Sequence, residues 1–223
     1  MQNSSQARSP APAARRVIQS HYEETLALFG PGVLGVDWPD MDDLETRFRV
    51  MLSGAPELDR PVRLLDVGCG VGLLFDHLAT HAPAGGWTYA GLDISPAMID
   101  QARARHPYAR FMVRDLIAAP LLGESFDYAL LNGVFTVKRD LSQAEMAEFV
   151  QALLRAVWTN VRYGLAFNVM TVHLDRLRDD LFHWPIDEAV AFATRELSPQ
   201  VRVRADYGLQ EYTTFVYREP NRA

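Results

Sequence analysis

The stretch LLDVGCGVG, Leu64 to Gly72, decides how the rest of the chain is read. An apolar run, Val62–Val67, ends beside an acid and then alternates glycines at Gly68, Gly70 and Gly72. That pattern is a strand turning tightly into a helix, the place where open α/β sheets bind ligands. A dinucleotide fingerprint would need a glycine three residues after Gly70, and Leu73 stands there instead. A Walker loop would need Gly-Lys-Ser/Thr, which is absent. The glycines therefore suit a ligand other than a phosphate chain, and Asp66 stands among them.

Working outward from this loop, strands and helices alternate. Val71–Ala79 reads as helix and Trp87–Asp93 as the next strand; Ser95 and Pro96 open a further helix as N-cap and first residue. Arg110–Val113 and Phe126–Leu131 are short strands, and Ser142 with Glu145 forms a capping box for a long helix ending near Trp158. Gly164–Met170 is a fifth strand and Pro185–Leu197 a last helix. Val201–Asp206 and Tyr212–Arg218 are joined by a loop too short for a crossover, so they must be antiparallel. The expected fold is a doubly wound α/β domain over residues 61–223. Its seven-stranded sheet is mostly parallel and ends in an antiparallel hairpin.

Ahead of that domain, Val17, Ile18, Tyr22 and Leu26 fall at helical spacing, FGPGVLGVDWPD interrupts, and a second helix is expected from about Met41 to Leu52. Residues 17–60 are read as a helical lid. Residues 1–16, rich in Ser, Pro and Ala with three arginines and no acid, are read as a disordered leader.

The bulk numbers narrow the function classes. A chain of 223 residues with 48% hydrophobic and 22% charged residues is an ordinary globular domain. Its net charge of −6 argues against a nucleic-acid groove, which needs clustered cations. No apolar run reaches the roughly 20 residues of a membrane helix. Cys69 is the single cysteine, so no internal disulfide forms, and a reducing, cytoplasmic setting is expected.

Two further acids sharpen the reading of the loop. Asp93 ends the second strand, where a carboxylate accepts both hydroxyls of a ribose. Asp115 follows the third strand on the same edge. Three carboxylates with no cation among them disfavour a pyrophosphate and suit a nucleoside whose tail is positively charged.

The successive motifs Asp66-Val67-Gly68-Cys69-Gly70-Val71-Gly72, Gly91-Leu92-Asp93-Ile94-Ser95 and Arg114-Asp115-Leu116 resemble those of class I S-adenosylmethionine-dependent methyltransferases. The resemblance runs from about Val62 to Arg218, and the terminal hairpin is a further mark of that family. It implies S-adenosylmethionine as methyl donor and S-adenosylhomocysteine as product. It further implies that Gly68, Cys69 and Gly70 approach the methionine moiety while Asp66 orients its amino end. By the same likeness Asp93 holds the ribose, Ile94 and Met98 face the adenine, Asp115 and Leu116 take its edge, and Asn132 completes the site. GVDW, NGVFTVK, AFNVMT and DYGLQEYTTFVYR are also similar to segments of a bacterial methyltransferase subgroup.

For the acceptor, a small molecule is expected, with no nucleic-acid or membrane partner. Asn132-Gly133-Val134-Phe135 keeps an Asn and an aromatic but lacks the two prolines common in methyltransferases of planar amino groups. Tyr22, Trp38, Arg47, Phe135, Lys138, Asn168 and His173 are the candidate pocket residues. Arg47, Lys138, His173, Arg176 and Arg178 suggest a carboxylate-bearing acceptor, and Trp184 is a further candidate wall. His173 and His183 are candidate general bases, while no catalytic residue is assigned. His77 and His81 have the i, i+4 spacing of metal ligands, but read as a solvated face with no metal. The rival functions are a non-catalytic binder of the same nucleoside and an oxidoreductase using NAD. Leu73 and the hairpin speak against the latter.

Overall fold

The computed structural model describes residues 11–81 and 86–220. Their sheet has the order β3-β2-β1-β4-β5-β7-β6. The strands are β1 (Val62–Val67), β2 (Trp87–Asp93), β3 (Arg110–Val113), β4 (Phe126–Leu131), β5 (Val161–Met170), β6 (Gln200–Arg204) and β7 (Glu211–Tyr217). β1 to β5 pair in parallel, whereas β7 runs antiparallel to both β5 and β6. The hairpin inserts its second strand between β5 and its first.

The helices are α1 (Ala11–Phe29), α2 (Met41–Leu52), α3 (Leu73–Thr80), α4 (Pro96–Arg105), α5 (Gln143–Trp158) and α6 (Ile186–Glu196), with a 3-10 turn at Leu34–Val36. Ser95 caps α4 by accepting from the Met98 amide, with Pro96 opening the helix. Ser142 and Glu145 form the reciprocal capping box of α5. Asp40 caps α2 by accepting from the Asp43 amide.

The two faces of the sheet bury different sets of residues, as side-chain alternation requires. Leu65, Val67, Ala129 and Leu131 join one core beneath α5 and α6, while Val62, Leu64, Tyr128 and Leu130 join the other beneath α2, α3 and α4. Helix α1 crosses between them, since Ala14 and Ile18 pack into the first core and Leu26 into the second. It therefore bridges the sheet at one edge instead of covering one face.

Strand order reverses between β1 and β4, which are neighbours although two strands separate them in sequence. The loops leaving their carboxyl ends diverge there and leave a crevice. Those loops are the glycine turn 68–72 and the Asn132–Val134 turn.

Three sequence expectations need correction. Helix α1 begins at Ala11 and not Val17, so residues 11–16 lie in the helix instead of the expected leader. Alanine is the strongest helix former and proline is tolerated in a first turn, so Ala-Pro-Ala-Ala continues into the amphipathic run. Residues 1–10 lie outside the described residues. β5 starts three residues before Gly164. His77 is buried against the Phe48 ring, with its ring centroid 4.1 Å from that of the exposed His81, so only His81 belongs to the expected solvated face.

Candidate active site

At the crevice, Gly68, Gly70 and Gly72 all have positive φ, at 75°, 52° and 85°, a region that favours glycine. The amides of Gly68 and Cys69 both donate to the Leu92 carbonyl, at 2.8 and 3.0 Å. This pins the turn to the end of β2. A Cβ on Gly68 would lie 2.5 Å from a methyl of Val134, so the two diverging loops touch only because this residue has no side chain.

The cavity between the loops encloses about 1050 Å³ of empty space, part of it open to solvent. Asp66, Gly68, Cys69, Gly70, Asp93, Ile94, Met98, Asp115, Leu116 and Asn132 all line it. Tyr22 and Trp38 line it as well, from the N-terminal segment. The cavity thus brings together every residue expected at the donor site and two of those expected around the acceptor.

The carboxylates differ in their surroundings. Asp66 is buried and accepts from the Tyr89 hydroxyl at 2.7 Å. Burial pushes its carboxyl up to about 7, outweighing the lowering effect of that hydrogen bond, and Asp93 adds to the rise. No cation is paired with it among the described residues. Asp93 accepts from the Gly70 amide at 3.0 Å and from the Ser95 amide at 2.9 Å. Burial raises its carboxyl too, against the opposing backbone donors. Asp115 caps its own turn, accepting from the Ile117 and Ala118 amides, and pairs with Arg15 at 2.8 Å. Cys69 is buried and burial drives its thiol well up, so it is no nucleophile.

A nucleoside with a cationic tail fits these groups. Asp66 is a buried carboxyl without a counter-charge, the Asn132 Oδ1 is buried without a hydrogen-bond partner, and the glycine turn leaves its backbone bare beside them. Among the described residues no group of His, Cys, Asp or Glu is placed to hold a metal, and no helix is long and apolar enough to cross a membrane.

The other acceptor candidates do not line the cavity. Phe135 is fully buried in the core between Phe149 and Phe167. Lys138 turns back onto the carbonyls of Arg139 and Leu141. Arg178 pairs with Asp180, and His173 is exposed. Arg47 is held by Glu211 and Asn168 bridges Glu211 to Gly133, so both serve as buried connectors. Trp184 belongs to an aromatic cluster with Phe167, Phe182 and Phe192. His183 is buried, with Nε2 accepting from the Arg178 amide and Nδ1 against the Thr171 carbonyl, and it does not line the cavity.

For Trp184 and His183 the cause lies in the chain after β5. It folds back through bridges pairing Met170 with His183 and Val137 with Leu181, which carries its aromatics into the core. Other cavity residues escaped the sequence reading. Arg15, Ile18 and Gln19 come from the first half of α1, and Leu44 from α2. Arg15 and Ile18 lay where a leader and a simple apolar stripe were expected. Arg114, also in the lining, was legible as part of the third motif.

An open α/β sheet with an antiparallel seventh strand, a glycine turn without phosphate-binding cations and an acid at the carboxyl end of each of the first three strands together make a Rossmann-like nucleoside-binding crevice. Comparison with known proteins agrees. Residues 64–157 match a methyltransferase domain family. Rv1506c of Mycobacterium tuberculosis, named as a methyltransferase, is 31% identical over 158 residues, which is 70% of this chain and 93% of that one. The trans-aconitate 2-methyltransferase of Paracidovorax citrulli is 36% identical over 92 residues, 41% of this chain and 35% of that protein. Magnesium protoporphyrin IX methyltransferase from Synechocystis, solved with bound S-adenosylmethionine, superposes with a TM-score of 0.58 at 15% identity, covering 98% of this chain and 100% of that chain. The protein belongs to the class I S-adenosylmethionine-dependent methyltransferases.

Proposed function

We propose that the protein methylates a small-molecule acceptor seated between Trp38, Tyr22 and Val134, next to the donor site described above. The observation that carries this is the roofing of the cavity by α1 and α2. Tyr22 donates to the Gly133 carbonyl at 3.2 Å, the Ser95 hydroxyl donates to Glu23 at 2.7 Å, and Arg15 pairs with Asp115. A cavity roofed in this way suits a small acceptor better than a polymer, and the net charge of −6 gives no field to attract nucleic acid.

The bound donor supplies an electrophilic methyl group on a sulfonium. Asp66 would pair with its ammonium, Asp93 would accept its ribose hydroxyls, and Asp115 with Leu116 would meet the adenine edge. What the chain adds is alignment and exclusion of water, which supply most of the acceleration such a displacement needs. His183 has both nitrogens engaged and His173 is exposed, and neither lines the cavity, so neither histidine is placed as a base.

The acceptor end is apolar and aromatic, none of the cations of the loops after β4 and β5 lines the cavity, and Lys138 and Arg178 are engaged elsewhere. That favours an acceptor with an apolar or aromatic body. A carboxylate-bearing acceptor is the second reading, supported by the likeness to trans-aconitate 2-methyltransferase. It would require Arg15 or Arg114, the cations in the cavity lining.

The test is formation of S-adenosylhomocysteine with a panel of acidic metabolites, their neutral analogues, aromatic metabolites and total RNA. Neutral and aromatic compounds should turn over at least as well as the acids. Turnover with the acids alone would establish the second reading, and turnover with RNA alone would overturn both.

The N-terminal helices should act as a lid. With S-adenosylhomocysteine bound, backbone hydrogen exchange across residues 17–60 should slow, because closing the roof shields the donor from water. Equal exchange with and without the nucleoside would show that the roof is fixed and not a lid.

A further inference from the structure

Gly133, at the lip of the cavity, is held on three sides. Asn168 on β5 accepts its amide hydrogen at Oδ1, 2.8 Å away. Tyr22 donates to its carbonyl. The Trp38 indole lies over its Cα, so close that a Cβ there would stand 2.5 Å from the ring. Its φ of 74° suits glycine as well.

Behind these contacts runs a closed circuit. The Asn168 side-chain amide donates to Glu211 at 3.0 Å, at the start of β7. Both Glu211 oxygens accept from Arg47 Nε on α2, at 3.1 and 2.9 Å. The Arg47 guanidinium stacks 4.0 Å from the Trp38 ring centre, and Trp38 returns to Gly133. Asn168, Glu211 and Arg47 are 0%, 2% and 6% exposed.

A sealed ion pair of this kind gives little net stability over apolar residues of the same volume, because desolvation offsets the attraction. What it adds is direction. Hydrogen bonds fix where the Gly133 amide and the Trp38 indole stand, and an apolar core would leave both free to slide. None of the three charged or amide residues lines the cavity, whereas Trp38, Asn132, Gly133 and Val134 do.

We propose that Glu211 is a positioning residue for the acceptor: through Asn168 and Arg47 it sets the Asn132–Val134 turn and the Trp38 ring packed on it as one continuous wall of the acceptor end. This rests on placing the acceptor at that end. It assigns the circuit to substrate alignment and leaves donor binding to the glycine turn.

The test uses the full chain with Glu211→Gln, Asn168→Asp and the two combined. Asn168→Asp sets two carboxylates against each other, and Glu211→Gln turns an amide towards Arg47. The double variant keeps the net charge and rebuilds the circuit with the amide on the other residue. Each single change should speed hydrogen exchange of residues 131–135 by about tenfold or more through local opening. Binding of S-adenosylhomocysteine should weaken by less than the exchange quickens, since Asn132 is the one donor-site candidate on the loosened turn and Asp66, Asp93 and the glycine turn are untouched. The double variant should return exchange towards the wild type. With any acceptor that turns over, the singles should lower kcat/KM for the acceptor and leave KM for the donor in place.

Unchanged exchange in both singles, or a double no slower than either, would overturn the proposal. So would loss of donor binding in folded single variants. If the singles do not fold, Arg47→Lys keeps the ion pair but loses the planar stack on Trp38, and it should show the same faster exchange; no change there counts against the circuit. Donor binding by the wild type is read separately, so a failure of the methyltransferase site would be told apart from a failure of the circuit.

Discussion

Asp93→Ala should weaken binding of S-adenosylhomocysteine by about a hundredfold to ten-thousandfold. Its carboxylate already holds the Gly70 and Ser95 amides, at 3.0 and 2.9 Å, with the Ile94 amide a further donor, and its free lone pairs would take the ribose hydroxyls. Two charge-assisted hydrogen bonds are worth about 1.5–3 kcal/mol each. The substitution also unties the glycine turn from the start of α4, so the larger end of that range is expected. Asp93→Asn keeps one acceptor and should recover part of the loss. Calorimetric titration measures both, and an unchanged affinity in the alanine variant would remove Asp93 from the site.

The second large effect belongs to Asp66 and depends on pH. Its carboxyl, raised by burial to about 7, is protonated in much of the free protein at neutral pH. Pairing with the donor's ammonium requires the carboxylate. Affinity for S-adenosylhomocysteine should therefore climb from about pH 6 to about pH 8 and then level off. Stability of the free protein should move the other way. With the folded value raised above the ordinary 3.8, the contribution of this group is fully present below 3.8 and is lost as pH rises through about 7.

Asp66→Asn removes the ionisation. The variant should bind the nucleoside weakly at every pH, yet be more stable to unfolding than the wild type at about pH 8, by a free energy of the order of a few kcal/mol at most. A flat affinity profile in the wild type, or a variant no more stable, would contradict this account of Asp66.

The donor half of the site was legible in the sequence because its signals are local. Each candidate donor residue except Met98, which lies in the first turn of α4, sits on a strand end or on the turn that follows, and strand ends of an open parallel sheet share one edge. Naming the strand therefore placed Asp66, Asp93 and Asp115 together, without any knowledge of tertiary contacts. Capping signals worked for the same reason: Ser95 with Pro96, and Ser142 with Glu145, act within four residues of chain.

The acceptor half was not legible, because its residues are sorted by distant partners. Arg47 and Asn168 were singled out for polarity, but Glu211 lies 164 and 43 residues away from them and claims both. Phe135 and Trp184 are aromatic residues near the right edge, and the antiparallel bridge Val137–Leu181 decides that they pack inward. Arg15 reaches the cavity from a segment whose Ala/Pro composition hid a helix, and its partner Asp115 is 100 residues on. Periodicity cannot report such pairings.

The central claim is that the crevice between β1 and β4 binds the methyl donor. Titrating the wild-type chain with S-adenosylhomocysteine, and separately with NAD, tests it most directly. Saturable binding of S-adenosylhomocysteine at one site per chain, with none for NAD, is the predicted result. Binding of NAD in its place, or binding of neither, would contradict it.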